Sequence, residues 1–426
     1  MKHKFEWNEF ADQPHNVAPR SERMRHHLRR WRTYFSMIGA DLRDGLPALF
    51  LYRRYRKQMF RRPVEFAGNM FAVSASPRPG RNEEVVALLK EAGVRQTLVR
   101  IPSWEKDRLA SYEDFVRLLS SSGIGLTIAL LQRREDVFET TAWTRFVEDV
   151  FSRFHDVCPF YEIGHAWNRT KWGVWDYTEY LKLARPAFDL GQRYGVKMVG
   201  PAVIDFEFHL YPPTLRALPF DKVSALLYVD RAGAPENAQF GWTAAMKIAL
   251  FKAVSDRSAR KPVEAWITEF NWPLEGTGKY SPASGKPNVT EEEQADYLVR
   301  YYILGLASGL IERMYWWQLV APGYGLVDDR EPVWRRRPGF AALKTMIEIL
   351  SGASFTGRGE ASGAEIFFFK KDGKELSVCW TNGPPLGHDF NRPADTIVSR
   401  DGRGGAAEPG GRIRIERAPK YVFFRS

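Results

Sequence analysis

From about residue 66 to 350 the chain alternates eight short β-rich runs with helical segments, a rhythm that restricts it to βα units and a parallel sheet. The runs are GNMFAVS (68–74), QTLVRI (96–101), IGLTIAL (124–130), FYEIG (160–164), VKMVGPAV (196–203), VSALLYV (223–229), VEAWITEF (263–270) and RMYWWQL (313–319). Eight strands separated by helices predict an α/β fold closed as a (β/α)8 TIM barrel. The helices carry their own signals. Thr290 followed by Glu293 makes a capping box ahead of EEEQADYLVRYYILGLASGL, and a helix beginning near Pro338 runs through FAALKTMIEIL to Gly352.

After residue 350 helical periodicity is lost. EIFFFKK, ELSVCWT, RIRIE and KYVFF, separated by Gly, Pro and Asp turns, predict a small C-terminal β-sandwich domain. The expected organisation is an N-terminal extension (1–62), the barrel (63–350) and the β domain (351–426).

Charge singles out the extension. Of 62 Lys/Arg and 51 Asp/Glu in the chain, 15 and 6 fall within residues 1–62, so most of the net +11 sits there. Within RSERMRHHLRRWRTYFSMI (20–38), Met24, Leu28, Trp31, Phe35 and Ile38 fall at spacings of four and three, one stripe of a helix whose other faces are mostly Arg and His. Such a stripe either packs on the main domain or lies on an anionic membrane surface through residues 20–62. Nucleic acid fits poorly, because the body is nearly balanced in charge and zinc, helix-turn-helix and ribonucleoprotein signatures are absent.

Charges from Lys2 onward, without an apolar region and cleavage site, do not form a secretory signal, and no apolar run approaches the ~20 residues of a membrane span. Cys158 and Cys379 form neither a disulfide framework nor a metal motif. The expectation is a cytoplasmic protein, peripheral on the inner face of the membrane. Phosphate-loop and H-E-x-x-H patterns are absent, so neither cofactor nor metal is expected.

In a parallel barrel, functional residues come from the C-terminal strand ends. ITEFNW places Glu269 at the mouth with Trp272 beside it. Strand two ends in Arg100, strand six in Tyr228 and strand eight in Trp316 and Trp317. A carboxylate with an Arg, a Tyr and Trp rings is what a retaining sugar-cleaving site requires: a nucleophile, groups that hold it ionised, and flat apolar faces for a sugar. Singly the residues say little, since most Trp are core and most strand-end Arg are structural ion pairs.

Together and in this order, the pieces resemble clan A glycoside hydrolases, closest to family 39 and its relatives acting on bacterial exopolysaccharides. The matching segments are EIG on strand four, GPA (200–202), SALLY on strand six, ITEF on strand seven, and YGLVDD and RRPGFAALK after strand eight. The resemblance implies Glu269 as nucleophile, kept ionised and aligned by Arg100 and Tyr228. Asn168 would contact the sugar, Trp316 or Trp317 would floor its subsite, and Trp272 and Glu207 would add to the binding set. It also implies a carbohydrate partner, an envelope polysaccharide or a lipid-linked sugar.

Strand four departs from the pattern. Family members show Asn-Glu-Pro-Asn after EIG, that Glu being the acid/base; here stand His165, Ala166, Trp167 and Asn168. Strand six carries Leu226 where His is common. Glu162 lies four residues back, roughly 13 Å along a strand, and is expected to be a buried structural carboxylate. His165 is the first substitute acid, though strand alternation would require a bulge to point it inward; Asp205, Glu207, His209 and Asp230 are loop alternatives. Three readings stay open: a glycosidase or transglycosidase with a substituted acid, an enzyme for activated sugars such as glycosyl diphosphates, and an inactive barrel that binds glycan or scaffolds polysaccharide assembly.

Overall fold

The computed structural model describes residues 5–15, 18–230, 232–282, 288–359, 361–407 and 412–425. The eight runs form eight parallel strands of one closed barrel: β1 (Phe71–Ser74), β2 (Gln96–Pro102), β3 (Gly125–Leu131), β4 (Phe160–Ile163), β5 (Lys197–Ile204), β6 (Lys222–Leu226), β7 (Glu264–Phe270) and β8 (Arg313–Trp316). Each follows its predecessor around the ring, and β8 closes on β1.

Period-two alternation divides the strand residues between two cores. Leu98 of β2 faces the barrel interior with Ala129, Val199, Trp266 and Tyr315, while Val99 and Ile101 face the surrounding helices. Arg100 therefore shares the inner face with Leu98. In β7, Trp266 is inside and Ile267 outside, and pairing with both neighbouring strands then becomes irregular. That irregularity sends Phe270 to the outer core and leaves Glu269 at the mouth, as bulges at barrel rims do.

The extension folds as a short hairpin followed by helices. Trp7–Asn8 pairs antiparallel with Gln13–Pro14. Then come α1 (Arg20–Arg29), α2 (Trp31–Ala40), a π-helical turn (Asp41–Gly45) and α3 (Leu46–Gln58). One side packs on the barrel: Met37, Leu51, Tyr52 and Tyr55 join the outer core, and buried Asp44 pairs with Arg216. The apolar stripe is on the other side. Met24, Leu28, Trp31, Phe35, Ile38 and Leu42 are 49–69% exposed, so the alternative in which the stripe packs on the main domain is not the arrangement adopted. Among the described residues no helix is long and apolar enough to cross a membrane.

The C-terminal domain is a seven-stranded antiparallel sheet facing a two-stranded one, with Ile366, Cys379, Ile413, Ile415, Val422 and Phe424 between them. Val64–Glu65, expected to open the barrel, instead pairs with Ser354–Phe355 at one edge of that sheet. The domain is fixed to the barrel by Arg300, which donates to the carbonyls of Thr381 and Arg417.

Candidate active site

Three strand ends converge on one carboxylate. Glu269 is 5% exposed; its Oε2 accepts from Arg100 Nη2 and its Oε1 from the Tyr228 hydroxyl. The Arg100 guanidinium lies 3.2 Å from the centre of the Trp317 ring. Asn271 Nδ2 donates to the Trp317 carbonyl at 2.7 Å, tying the residue two beyond Glu269 to the end of β8. A guanidinium and a phenol on the two oxygens fix the orientation of the carboxylate, as a nucleophile's positioning requires.

His165 joins this group by a route that alternation did not foresee. The strand stops at Ile163, and Gly164 turns the chain with φ +79°; a Cβ there would lie 2.9 Å from Tyr180 Cε2, so the close approach also requires glycine. Gln132 then clamps the turn, its Oε1 accepting from the His165 N–H at 2.8 Å and its Nε2 donating to the His165 carbonyl at 3.0 Å. The imidazole ends 3.0 Å from Arg100 Nη2 and 3.4 Å from Glu269 Oε2. Because guanidinium only donates, Nε2 accepts and the ring is the neutral Nδ1–H tautomer. Burial, then the charges of Arg100 and Lys171, hold its pKa well below the usual histidine value. His165 is thus a neighbour of the nucleophile's own carboxylate.

Ala166 follows in the left-handed region at φ +44°, its methyl fully buried and its N–H donating to Ala202 O. Below the mouth, Glu162 is buried and its pKa is raised to about 7, chiefly by burial, with Ser224 and Thr268 hydroxyls opposing and the Glu269 charge adding. It is the interior carboxyl that its position four residues down the strand predicts. Leu226 lies in the same interior.

The other candidates are engaged by protein groups. Trp316 follows inward-facing Tyr315 and so points outward; it is fully buried and stacks on Trp272, ring centres 6.2 Å apart. Trp272 is 1% exposed, with its Nε1 donating to Gly233 O. Both are packing residues between sheet and helices, and Trp317 alone of the three reaches the site. Asn168 is engaged on both sides of its amide, donating to the Ile204 carbonyl and accepting from the Ile204 N–H. Glu207 and Asp205 both pair with Arg169. Asp205, Glu207 and Asp230 line a cavity of about 870 Å³ with His165, Lys171 and Tyr228, whereas His209 does not border it.

The N-terminal hairpin lies across this mouth, a placement that no local pattern of residues signals. Asp12 Oδ2 is 3.5 Å from Arg100 Nη1 and accepts from the Tyr324 hydroxyl at 3.4 Å. Burial raises the Asp12 pKa, against the lowering effect of Arg100 and Arg78. A smaller hollow of about 190 Å³ borders Asp12, Arg78, Arg100 and Trp317.

Solved structures of clan A glycoside hydrolases share this barrel fold. A family 39 glycoside hydrolase from the gut symbiont Bacteroides cellulosilyticus WH2 aligns with a TM-score of 0.63 at 14% identity, over 84% of this chain and 81% of the other. The GH51 arabinofuranosidase of Xanthomonas axonopodis pv. citri gives 0.57 at 14% identity, over 85% and 98%. A family 1 β-glucosidase from Thermotoga maritima gives 0.50 at 12% identity, over 68% and 99%. No family model and no curated protein matches the sequence.

Proposed function

We propose that the protein is a retaining glycosidase or transglycosidase in which Glu269 forms the covalent bond and no side chain occupies the usual acid position. The observation that carries this reading is a carboxylate gripped by Arg100 and Tyr228 in a barrel whose β4 end presents the methyl of Ala166. Glu269 attacks the anomeric carbon, the bond to the leaving oxygen breaks, and water or an acceptor hydroxyl then displaces Glu269 with net retention, its proton passing to solvent. General acid catalysis is worth ~10²–10⁴-fold. Its absence is severe for an alcohol leaving group and nearly irrelevant for one that departs as a stable anion.

The substrate class we assign is therefore an activated sugar of the bacterial envelope, such as a glycosyl diphosphate carried on a lipid. Arg169, Lys171 and Lys247 line the cavity beside His165 together with Asp205, Glu207 and Asp230, and Arg169 is paired with the first two of these carboxylates, so the assignment rests on the missing acid rather than on the charge of the cavity. The basic α1–α2 arm supplies the matching location, the inner face of an anionic membrane. The test is leaving-group dependence. Turnover of glycosyl diphosphates and fluorides well above that of alkyl glycosides of the same sugar supports the reading; equal rates refute it.

One observation favours a second reading, a glycan-binding or scaffolding protein without turnover. Both oxygens of Glu269 are engaged and the hairpin covers the mouth. Oligosaccharide binding with no covalent intermediate under any condition would select it.

A further inference from the structure

We infer that residues 7–14 are a plug occupying the place of the sugar, and that an anionic lipid surface withdraws it by taking up the helical stripe that follows. The inference concerns regulation of the site proposed above and rests on that assignment for the identity of what is excluded.

The plug is placed by two consecutive residues. Asp12 meets Arg100 and Tyr324 on the Trp317 side, and Gln13 meets two other loops, accepting from Lys171 Nζ after β4 at 2.6 Å and donating to Pro282 O after β7 at 3.1 Å. Asp12 lines the smaller hollow and Gln13 the larger, so these two residues stand where the hollows meet. A sugar reaching Glu269 beside Arg100 would need the ground on which Asp12 stands. Trp7 extends the cover, with ring centres 5.0 Å from Trp104 and 5.9 Å from Trp172, the latter packed against His165.

The plug is weakly held. Only two residue pairs join its strands, and isolated two-stranded hairpins are marginal in water. Asp12 adopts φ +50°, a region costly for non-glycine residues, and its side chain stays 30% exposed, open to solvent competition. A modest competing interaction suffices to release it.

The chain supplies that competitor directly afterwards. α1 begins at Arg20 and is clasped to the barrel by His26 Nε2 and Arg30 Nε, 2.8 and 3.4 Å from Asp176 Oδ2, the N-cap of the helix Tyr177–Tyr194. Its outward face and that of α2 expose Met24, Leu28, Trp31 and Phe35. Residues 20–62 carry 13 Lys/Arg against 3 Asp/Glu. That charge repels a second copy of the chain and suits anionic lipid, whose phosphates compete with Asp176 for Arg30 and His26. Seating the stripe in a bilayer interface then pulls on the segment that leads into the hairpin.

The full-length protein is mixed with phosphatidylcholine vesicles, with or without phosphatidylglycerol, or with free inorganic phosphate at equal ionic strength. Amide exchange over residues 5–15 is followed beside the rate at which an activated 2-fluoro glycoside labels Glu269. Exchange should rise on the order of tenfold with phosphatidylglycerol vesicles only, and a Trp7→Ala, Asp12→Ala double variant should exchange fast without lipid. Undiminished protection on vesicle-bound protein overturns the coupling. If the double variant exchanges fast yet is labelled no faster than a parent that does label, the plug is overturned and the role of Glu269 stands. Rapid exchange on anionic vesicles with no labelling in any sample supports a lipid-released hairpin and refutes the nucleophile.

Discussion

Arg100 covers the face of Trp317, 3.2 Å from the ring centre, while donating to Glu269 from the same guanidinium. One side chain therefore orients the nucleophile and occupies the only aromatic surface at the mouth that comes from β8 or its end among Trp316 and Trp317. This dual contact requires a planar, forked cation, which lysine is not.

Arg100→Lys should consequently lower the rate of Glu269 glycosylation by ~10²-fold, the scale of losing one aimed donor in a buried site. Covalent labelling kinetics on the variant check this, with thermal unfolding as the control for fold. A rate within a factor of about three of the parent would show that Arg100 serves the ion pair with Asp12 alone.

Ala166→Glu returns a carboxyl to the position that lacks one. With alkyl glycosides, kcat/KM should rise by ~10²–10⁴-fold, while kcat/KM with fluoride leaving groups stays unchanged because their departure needs no proton. The added bulk at a fully buried site costs about 1–3 kcal/mol of stability, readable in urea unfolding. The comparison is best made on the Asp12→Ala background, where the mouth is less obstructed.

Glu162 makes a pH prediction. Its folded pKa is about 7 against a reference of 4.5, so the folded state retains its proton over that interval. Stability from this group is present below pH 4.5 and is lost as pH rises through about 7. Glu162→Gln should leave stability at pH 5 nearly unchanged and raise it at pH 8 by about 3 kcal/mol. His165 acts oppositely: its depressed pKa makes the folded state bind fewer protons, so it removes stability as pH falls below 6.5. Urea unfolding of parent and variant at both pH values separates the two.

Trp31→Glu combined with Phe35→Glu should abolish cosedimentation with vesicles containing phosphatidylglycerol and leave barrel stability within about 0.5 kcal/mol, since both rings are more than half exposed. Binding by the parent should fall as salt shortens the Debye length below ~8 Å. Retained binding by the variant would place the lipid contact elsewhere.

Much of this was readable from residue order. The eight strand segments, the terminal β domain, and the convergence of Arg100, Tyr228 and Glu269 follow from periodicity and from where barrel strands end. Trp316 was assignable to the outer core by alternation once Tyr315 was taken as inward, whereas adjacency to Trp317 blurred that choice. His165 was harder, because its inward turn depends on Gly164 ending the strand and on Gln132, 33 residues earlier, holding the loop. The partners of Asp12 and Gln13 lie hundreds of residues away at Tyr324 and Pro282, beyond any local pattern.

The central claim is that Glu269 is a live nucleophile without a partner acid. Incubation of the parent and the Asp12→Ala variant with 2-fluoro glycosides bearing dinitrophenyl or fluoride leaving groups, followed by intact mass and peptide mapping, addresses it directly. A single sugar adduct on Glu269, forming faster in the variant and absent from Glu269→Gln, is the predicted result. No adduct in either protein across the common hexoses and pentoses, with oligosaccharide still bound, would contradict the claim and leave a glycan-binding barrel.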